Sequence, residues 1–256
     1  MTTESQDPFF REIDIEFLIH ELKDPVSVIE TSARLLLERK ASYGPLSSRQ
    51  EKTLKRMLRN AQKARAMIYG LLEVGGAQTG AFTPTRFSPV TALHHALIEA
   101  LEIADTSVFD QAHAAATPED AFAVLMQHHI HVEIAPEVFH TELFLDETKF
   151  GRIVGNLIKN ALHHRHTQLH IAMKHHDNTL WTDITDDGPG VAPQHHALIF
   201  KRYTRLHADG DSPRTGHGLG LAGALILARS MGGDIGIVSQ KGHGATFRLK
   251  LPIKHE

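Results

Sequence analysis

The chain has 256 residues, enough for one large or two small domains, and its 41% apolar content is typical of a globular protein. A formal net charge of −3 at pH 7 provides no basic field, so we expect no nucleic-acid partner. The absence of cysteine excludes disulfides and thiolate metal sites. Because no signal peptide or membrane-spanning run is present, we predict a cytoplasmic protein with no direct membrane insertion.

The first part of the chain has a helical pattern. From about Pro8 to Val74, apolar residues recur at spacings of three and four. The sequence SYGPLSS interrupts this pattern with a Gly-Pro turn, which predicts two long amphipathic helices joined as a hairpin. One hairpin buries its apolar stripe poorly, whereas two hairpins form a four-helix bundle. We therefore predict a homodimer built from residues 1–80.

The second part mixes helices and strands. A stretch rich in Gly, Thr and Pro precedes it, and we assign residues 81–86 to a linker and 87–256 to an α+β domain. The predicted helices are VTALHHALIEALEI, ETKFGRIVGNLIKNALHH and GLGLAGALILARSMGG. The predicted strands are HIHVEI, LHIAM, TLWTDITD, DIGIVSQ and ATFRLKLP, the last two forming a hairpin at KGHG. The interval 104–119 has weak periodicity, and we expect an insertion or a long loop there.

Three short motifs of the second part occur in a telling order. Asn156 and Asn160 lie four residues apart, so their amides share one helix face. DDGPG follows a strand, and its glycines allow the backbone to approach a ligand closely. GHGLGL opens a helix whose free N–H groups can hold phosphate. Each motif alone is common, but the three in this order and at these spacings together indicate a functional site strongly.

This combination resembles the two-component sensor histidine kinases, whose second half is a GHKL-type ATP-binding domain. The resemblance extends from Phe17 to Pro252. It implies a fold of class α then α+β, in which a helical hairpin forms a dimeric four-helix bundle. An α/β-sandwich ATP-binding domain of the GHKL type would follow this hairpin. The resemblance also implies ATP and Mg²⁺ as cofactors.

The resemblance implies roles for single residues of the nucleotide site. Asn160 would hold Mg²⁺, Asp186 would bond the adenine amino group, and Arg205 would lie near the γ-phosphate. The glycines of DDGPG and GHGLGL would shape the pocket and cradle the phosphates. The implied cofactor-binding residues are Asn156, Asn160, His163, His164, Asp186, Gly188, Gly190, Arg205, Gly216, Gly218 and Gly220.

Two of these residues depart from the family pattern. His163 stands where a permanent cation normally meets phosphate, and His164 stands where an aromatic ring normally lies near the base. An imidazole can stack and donate a hydrogen bond, but it is only partly charged at neutral pH. The departure implies weaker or pH-dependent ATP binding, and Arg165 is a candidate for the missing cation.

The first helix contains HELKDP, which matches the phosphoacceptor motif of the family at five of six positions. The resemblance implies that His20 accepts the γ-phosphoryl group while Glu21 orients its ring and accepts its other proton. Because Pro25 has no N–H, we expect the helix to bend just beneath His20. The phosphoryl group would then pass to an aspartate of a response regulator receiver domain. The family usually has Thr or Asn at the position of Asp24, so we expect weak or absent phosphatase activity.

Two other classes of protein share part of this pattern. A catalytically lapsed phosphotransfer or scaffold protein on the same fold is slightly favoured by His163 and His164, but the intact Asn160, Asp186 and glycines favour the kinase. A GHKL ATPase acting as a chaperone or DNA-repair clamp would not need HELKDP. Only about ten residues precede the first helix, so we expect no sensor domain. We predict an ATP-dependent, autophosphorylating protein histidine kinase.

Overall fold

The computed structural model describes residues 15–79, 83–201 and 220–253. The side chains of residues 15–20, 40–41, 63, 66–67 and 69–79 are not described. The chain divides into two compact units, residues 1–80 and 81–256, and each unit is described by itself. Within the described residues, no helix is both long and apolar enough to cross a membrane.

The first unit is a helical hairpin, as predicted. Helix α1 (Ile15–Glu38) packs on helix α3 (Ser48–Thr79), and a single helical turn, α2 (Lys40–Tyr43), lies between them. Helix α1 continues through Pro25 without interruption. Helix α3 begins with a capping box: the Ser47 hydroxyl accepts from the Gln50 backbone N–H, and the Gln50 side chain accepts from the Ser47 N–H at 2.8 Å.

Helix α1 has two distinct faces. Glu30 and Ala33 are only 3% and 2% exposed, and the Glu30 carboxylate lies 3.0 Å from Arg65 of α3 and 2.7 Å from Arg34. By contrast, Leu22 and Ile29 are 49% and 47% exposed. The apolar stripe that the sequence predicts, which includes Leu22 and Ile29, is therefore not the face that packs on α3. Within one hairpin this stripe is exposed to solvent.

The second unit is an α/β sandwich, which confirms the predicted fold class. Its sheet has the strand order β2-β4-β5-β7-β6, in which β2 and β4 are parallel and the other neighbours antiparallel, while β1 and β3 form a separate antiparallel pair. The elements are β1 (Thr85–Phe87), α4 (Pro89–Ala104), α5 (Thr106–His113), α6 (Pro118–Met126), β2 (Ile130–Ile134), β3 (Leu143–Leu145), α7 (Glu147–His164), β4 (Leu169–His176), β5 (Thr179–Asp186), α8 (Gly220–Ser230), β6 (Asp234–Ser239) and β7 (Ala245–Pro252).

The core lies on one face of the sheet. Along β5, the side chains of Leu180, Thr182 and Ile184 are buried while the alternate residues are partly exposed, because successive side chains of a strand point to opposite faces. The buried face is covered by α7, in which Phe150 and Leu157 are fully buried. This packing fixes α7 and the end of β5 against each other.

Two sequence expectations need correction. Residues 104–119 are not a long loop, because they contain α5 and the start of α6. The Asp105 carboxylate caps α5 by accepting from Ser107 and Val108, and Thr117 caps α6 ahead of a proline at its first turn. In addition, β1 begins at Thr85, within the stretch assigned to a linker.

Candidate functional site

Helix α7 and helix α8 bring the first and third motifs together. Asn156 and Asn160 are both half-buried and lie one turn apart on α7. The side-chain nitrogen of Asn156 is buried and has no hydrogen-bond partner among the described residues. Gly220 is the first residue of α8, and a Cβ atom there would lie 3.7 Å from the Asn156 amide oxygen. The start of α8 therefore lies beside the asparagine face of α7.

Asp186 ends β5 and is only 4% exposed. Its Oδ1 atom accepts a hydrogen bond from the Gly188 backbone N–H at 2.9 Å, so it closes the turn that follows the strand. Burial raises the pKa of this carboxyl above its usual value, although the N–H groups of Gly188 and Ala245 oppose the shift. Each oxygen of a carboxylate carries two lone pairs, so a carboxylate held by backbone N–H groups can still accept from a ligand.

The DDGPG turn is wedged between two other segments, which explains its glycines. A Cβ atom on Gly188 would collide with the backbone carbonyl of His164, at the end of α7. Gly190 has φ +64°, and a Cβ atom there would collide with the carbonyl of Gln240. The Gly244 N–H also donates to the Gly188 carbonyl at 2.9 Å. The predicted KGHG turn thus forms one wall of the site, and the end of α7 forms the other.

The histidine pair of α7 lies at this same junction. The rings of His163 and His164 contact each other edge to face, with centroids 4.9 Å apart. His163 is exposed and His164 is half-buried. Arg165 follows as the C-cap of α7. Burial lowers the pKa of its guanidinium, an effect that the carboxylates of Asp187 and Asp105 oppose.

Asp187 is a structural residue that the sequence reasoning missed. Its carboxylate accepts from the backbone N–H groups of His166 and Thr167 at 2.9 and 3.0 Å. Burial by itself raises the pKa of the Asp187 carboxyl. The hydrogen bonds from the N–H groups of Thr167, Gln168 and His166 together lower this pKa by more, so it lies below its usual value. Asp187 therefore ties the DDGPG turn to the segment after α7. The sequence clue to this role was the adjacent pair Asp186 and Asp187, because only one of the two carboxylates can face a ligand.

The remaining predicted residues are located as follows. His20 lies in α1, where the structure describes its backbone but not its side chain. Glu21 beside it is exposed. Arg205, Gly216 and Gly218 lie outside the described residues. Within the described residues, no group of three or more His, Asp or Glu side chains is arranged to hold a metal ion.

Comparison with known proteins gives matches in both units. Residues 16–80 match the profile of the His Kinase A (phospho-acceptor) domain, and residues 145–255 match the histidine kinase-, DNA gyrase B-, and HSP90-like ATPase profile. The sensor histidine kinase MtrB of Mycolicibacterium paratuberculosis is 27% identical over 235 residues, which cover 91% of this chain and 38% of that protein. The sensor protein RstB of Escherichia coli is 33% identical over 111 residues, covering 43% of this chain and 26% of that protein.

Solved structures share the fold. A full-length crystal structure of ShkA in complex with AMPPNP has a TM-score of 0.66 and 21% identity, covering 94% of this chain and 46% of that one. The Acinetobacter baumannii histidine kinase AdeS has a TM-score of 0.55 and 17% identity, covering 92% of this chain and 98% of that one. The chain spans well under half of the length of MtrB and RstB. With a phospho-acceptor domain followed by a kinase-type ATPase domain, the chain belongs to the sensor histidine kinase family.

Proposed function

We propose that this chain is an ATP-dependent protein histidine kinase that phosphorylates itself on His20. The phosphoryl group then passes to an aspartate on the receiver domain of a response regulator. The observation that carries the proposal is that α7 meets Gly220 at Asn156 and the DDGPG turn at His164, in a unit that follows HELKDP in the same chain. Because ATP is the phosphoryl donor, we place the enzyme in the cytoplasm. The test is incubation with γ-labelled ATP followed by mapping of acid-labile label.

The proposed division of labour follows the two units. Residues 1–80 serve for dimerisation and histidine phosphotransfer, and the second unit, residues 81–256, binds ATP and Mg²⁺. A catalytically lapsed scaffold remains the alternative, but no described contact favours it. The buried Asp186 and the glycines that admit the backbone are features that a lapsed nucleotide site has no need to keep.

The donor set of α7 fits a magnesium ion that arrives with ATP. Mg²⁺ prefers oxygen ligands and is usually held by one or two protein oxygens, with phosphates and waters completing its octahedron. The amide oxygen of Asn160, half-buried one turn from Asn156, can supply such a ligand. When bound, the ion offsets the charge that develops on the phosphates.

The proposed reaction assigns a task to each of this chain's residues. A neutral imidazole nitrogen of His20 attacks the γ-phosphorus, the bond to the β,γ-bridging oxygen breaks, and ADP leaves. Glu21, which is exposed beside His20, orients the ring and accepts its second proton. Asp186 fixes the adenine, and N–H groups at the start of α8 donate to the phosphate oxygens.

The open stripe of α1 supports a homodimer, and we expect Ile29→Glu to convert the chain to a monomer. The side chains of Leu22, Val28, Ile29 and Met57 are 47% to 64% exposed in one hairpin, and a second hairpin would cover them. A charge at position 29 would then be buried without a partner. The measurement is light scattering over a range of concentrations.

The matched control for this prediction is Thr31→Glu. Thr31 is exposed and lies roughly 160° around the helix axis from Ile29. Thr31→Glu adds the same charge to a different face of α1, so the dimer should persist. A dimer that survives Ile29→Glu would contradict the proposed interface.

We expect Asp186→Asn to weaken nucleotide binding at least tenfold while stabilising the ligand-free protein. Asparagine can still accept from Gly188, but its amide nitrogen would then oppose the adenine amino group, donor against donor. Because burial raises the pKa of Asp186, the folded state binds the proton more tightly than the unfolded state, and ionisation at neutral pH costs stability.

The pH dependence of the stability gain provides the control for Asp186→Asn. The gain in melting temperature from Asp186→Asn should be present at pH 7 and should shrink as the pH falls towards the unfolded aspartate pKa of about 3.9, where both states become protonated. Thermal melts from pH 4 to pH 7 and titration of an ATP analogue measure the two effects. Unchanged nucleotide affinity would remove Asp186 from the adenine site.

We expect His163→Lys to raise ATP affinity at pH 8 about fivefold. His163 is exposed and stands where the family carries a permanent cation, and a lysine there would add a lasting positive charge near the phosphates. Calorimetric titration of an ATP analogue on both proteins measures the difference. An affinity that does not rise in His163→Lys would favour Arg165 or Arg205 as the cation.

A further inference from the structure

The edge strand β2 has one side without a partner in the described part of the chain. It pairs only with β4, in parallel register from Ile130 with Leu169 to Ile134 with Met173. The Leu169 N–H donates to the His129 carbonyl at 3.0 Å, and the Ala135 N–H donates to the Met173 carbonyl at 2.9 Å. Odd-numbered residues of this segment therefore direct their backbone groups towards β4.

The even-numbered residues consequently present their backbone groups at the free edge. Because N–H and C=O groups alternate in direction along a strand, those of Ile130, Val132 and Ile134 point away from β4. Such a row is a template for another strand, and proteins commonly cover it or block it with charge or proline. The only charged side chain of β2 that could block it is Glu133, which points to a sheet face and is 77% exposed.

The sequence of β2, IHVEI, is complementary to itself when reversed. In an antiparallel pair with a two-fold axis at Val132, Ile130 lies opposite Ile134 of a second copy, and His131 lies opposite Glu133. The three even-numbered pairs would then be the hydrogen-bonded ones, with six backbone bonds between the strands. The His–Glu pairs would occupy the non-hydrogen-bonded positions, where opposite side chains are closest. Glu133, which also lies 3.4 Å from His170 of its own chain, could accept there from His131 of the second copy.

A groove runs beside this edge. It has a volume of about 360 Å³ and is lined by Phe122, Ala123, Met126, His131, Val132, Glu133 and His170. Met126, at the end of α6, is 57% exposed. A strand added to β2 would cover Met126 and occupy the groove.

We propose that β2 pairs antiparallel with β2 of a second copy of this chain, joining two five-stranded sheets into one of ten strands. The backbone phase, the reversed complementarity of IHVEI and the open groove all fit this occupant. The pairing is isologous, so it closes on itself and does not propagate through this edge. It is independent of the kinase assignment and distinct from the proposed pairing of the helical hairpins.

The first test uses the absence of cysteine from the chain. In the proposed pair, the two Val132 Cα atoms are directly opposite at about 5.5 Å, within reach of a short bis-maleimide. The full-length Val132→Cys variant should therefore form a covalent dimer with this reagent. The matched control is Val238→Cys, on the opposite edge strand β6, where the side chain is 64% exposed.

We expect Val132→Cys to cross-link at least tenfold faster than Val238→Cys. Equal rates, or no cross-link at Val132, would overturn the proposal, and the edge would then be free for a strand of another protein. The native mass of the cross-linked product separates two forms of the contact. A mass of two chains places it inside a hairpin dimer, and a mass of four places it between dimers; both support the pairing.

The second test does not depend on cross-linking chemistry. Glu133→Lys replaces the His–Glu pairs by pairs without a carboxylate and should weaken self-association at least tenfold by sedimentation. Adding His131→Glu places a carboxylate opposite each new lysine and should restore it. Circular dichroism shows whether each variant is folded. Failure of the double variant to recover, with both variants folded, would overturn the proposed register.

Discussion

His20→Ala is expected to abolish acid-labile phosphorylation while leaving nucleotide binding unchanged. His20 combines an adjacent carboxylate in Glu21 with a proline five residues later in α1, and no other of the 20 histidines has this neighbourhood. Alanine removes the attacking nitrogen but is a good helix former, so α1 should remain intact. The proposed nucleotide site belongs to the other unit, which should bind nucleotide as before.

The measurement is incorporation of label from γ-labelled ATP, read before and after acid treatment, beside titration of an ATP analogue. His140→Ala is a suitable control, because His140 is an exposed histidine outside both proposed sites. It should label like the wild-type protein. Acid-labile label that persists in His20→Ala would transfer the phosphoacceptor role to another histidine. Loss of both labelling and nucleotide binding would instead indicate that the substitution unfolds the chain.

Three of the longer periodic elements could be predicted to the residue. ETKFGRIVGNLIKNALHH, TLWTDITD and ATFRLKLP correspond to α7, β5 and β7 without a shift at either end. In each case the apolar period extends over eight residues or more, and a capping or turn residue marks the boundary. Asp146, for example, caps α7 by accepting from the Lys149 N–H at 3.0 Å.

Short elements could not be predicted in this way. Helix α5 has eight residues, and β1 and β3 have three each, which is less than periodicity needs to register. The clue at α5 was its cap, since Asp105 precedes Thr106 and Ser107 in a polar stretch that resembles a loop. Strands β1 and β3 exist because they pair with each other over a long separation in sequence, and no local pattern reports that pairing.

The face of α1 illustrates a different limit. The strongest apolar stripe includes Leu22 and Ile29, yet within one chain these side chains are exposed. The face that packs on α3 instead carries the buried Glu30, which the charges of Arg34 and Arg65 accompany. A buried carboxylate with charged partners is invisible to a hydrophobic period. Arg65 links this carboxylate to α3, and because both arginine side chains are nearly half exposed, solvent screens the two pairs.

For the nucleotide site, motif spacing predicted the residues but not their contacts. Asn156 and Gly220 are far apart in sequence and meet only because α7 and α8 pack together on one face of the sheet. The collision that a side chain at Gly188 would have with the His164 carbonyl likewise depends on where α7 ends. The site is thus a junction of three segments, the end of α7, the DDGPG turn and the KGHG turn, and its shape depends on how closely their backbones approach.

The close approach at this junction makes Gly188→Ala the second change with a large expected effect. The new methyl group would collide with the backbone carbonyl of His164 and lie about 2.7 Å from the Asp186 carboxylate, so the turn must move. Moving it displaces the carboxylate proposed to hold the adenine, and we expect nucleotide affinity to fall at least tenfold. The strain should also reduce the free energy of unfolding by about 1–3 kcal/mol.

Gly151→Ala is the matched control for this change, because it adds the same methyl group to the same unit. Gly151 lies in α7, and a Cβ atom there would have no neighbour within 4 Å. Alanine in a helix is favoured over glycine by about 0.5–1 kcal/mol, so this variant should melt slightly higher and bind the ATP analogue normally. Thermal melts and analogue titration on both variants measure the contrast. If Gly188→Ala bound nucleotide as well as Gly151→Ala while remaining folded, the DDGPG turn would not form the wall of the nucleotide site, and the assignment of Asp186 to the adenine would fail with it.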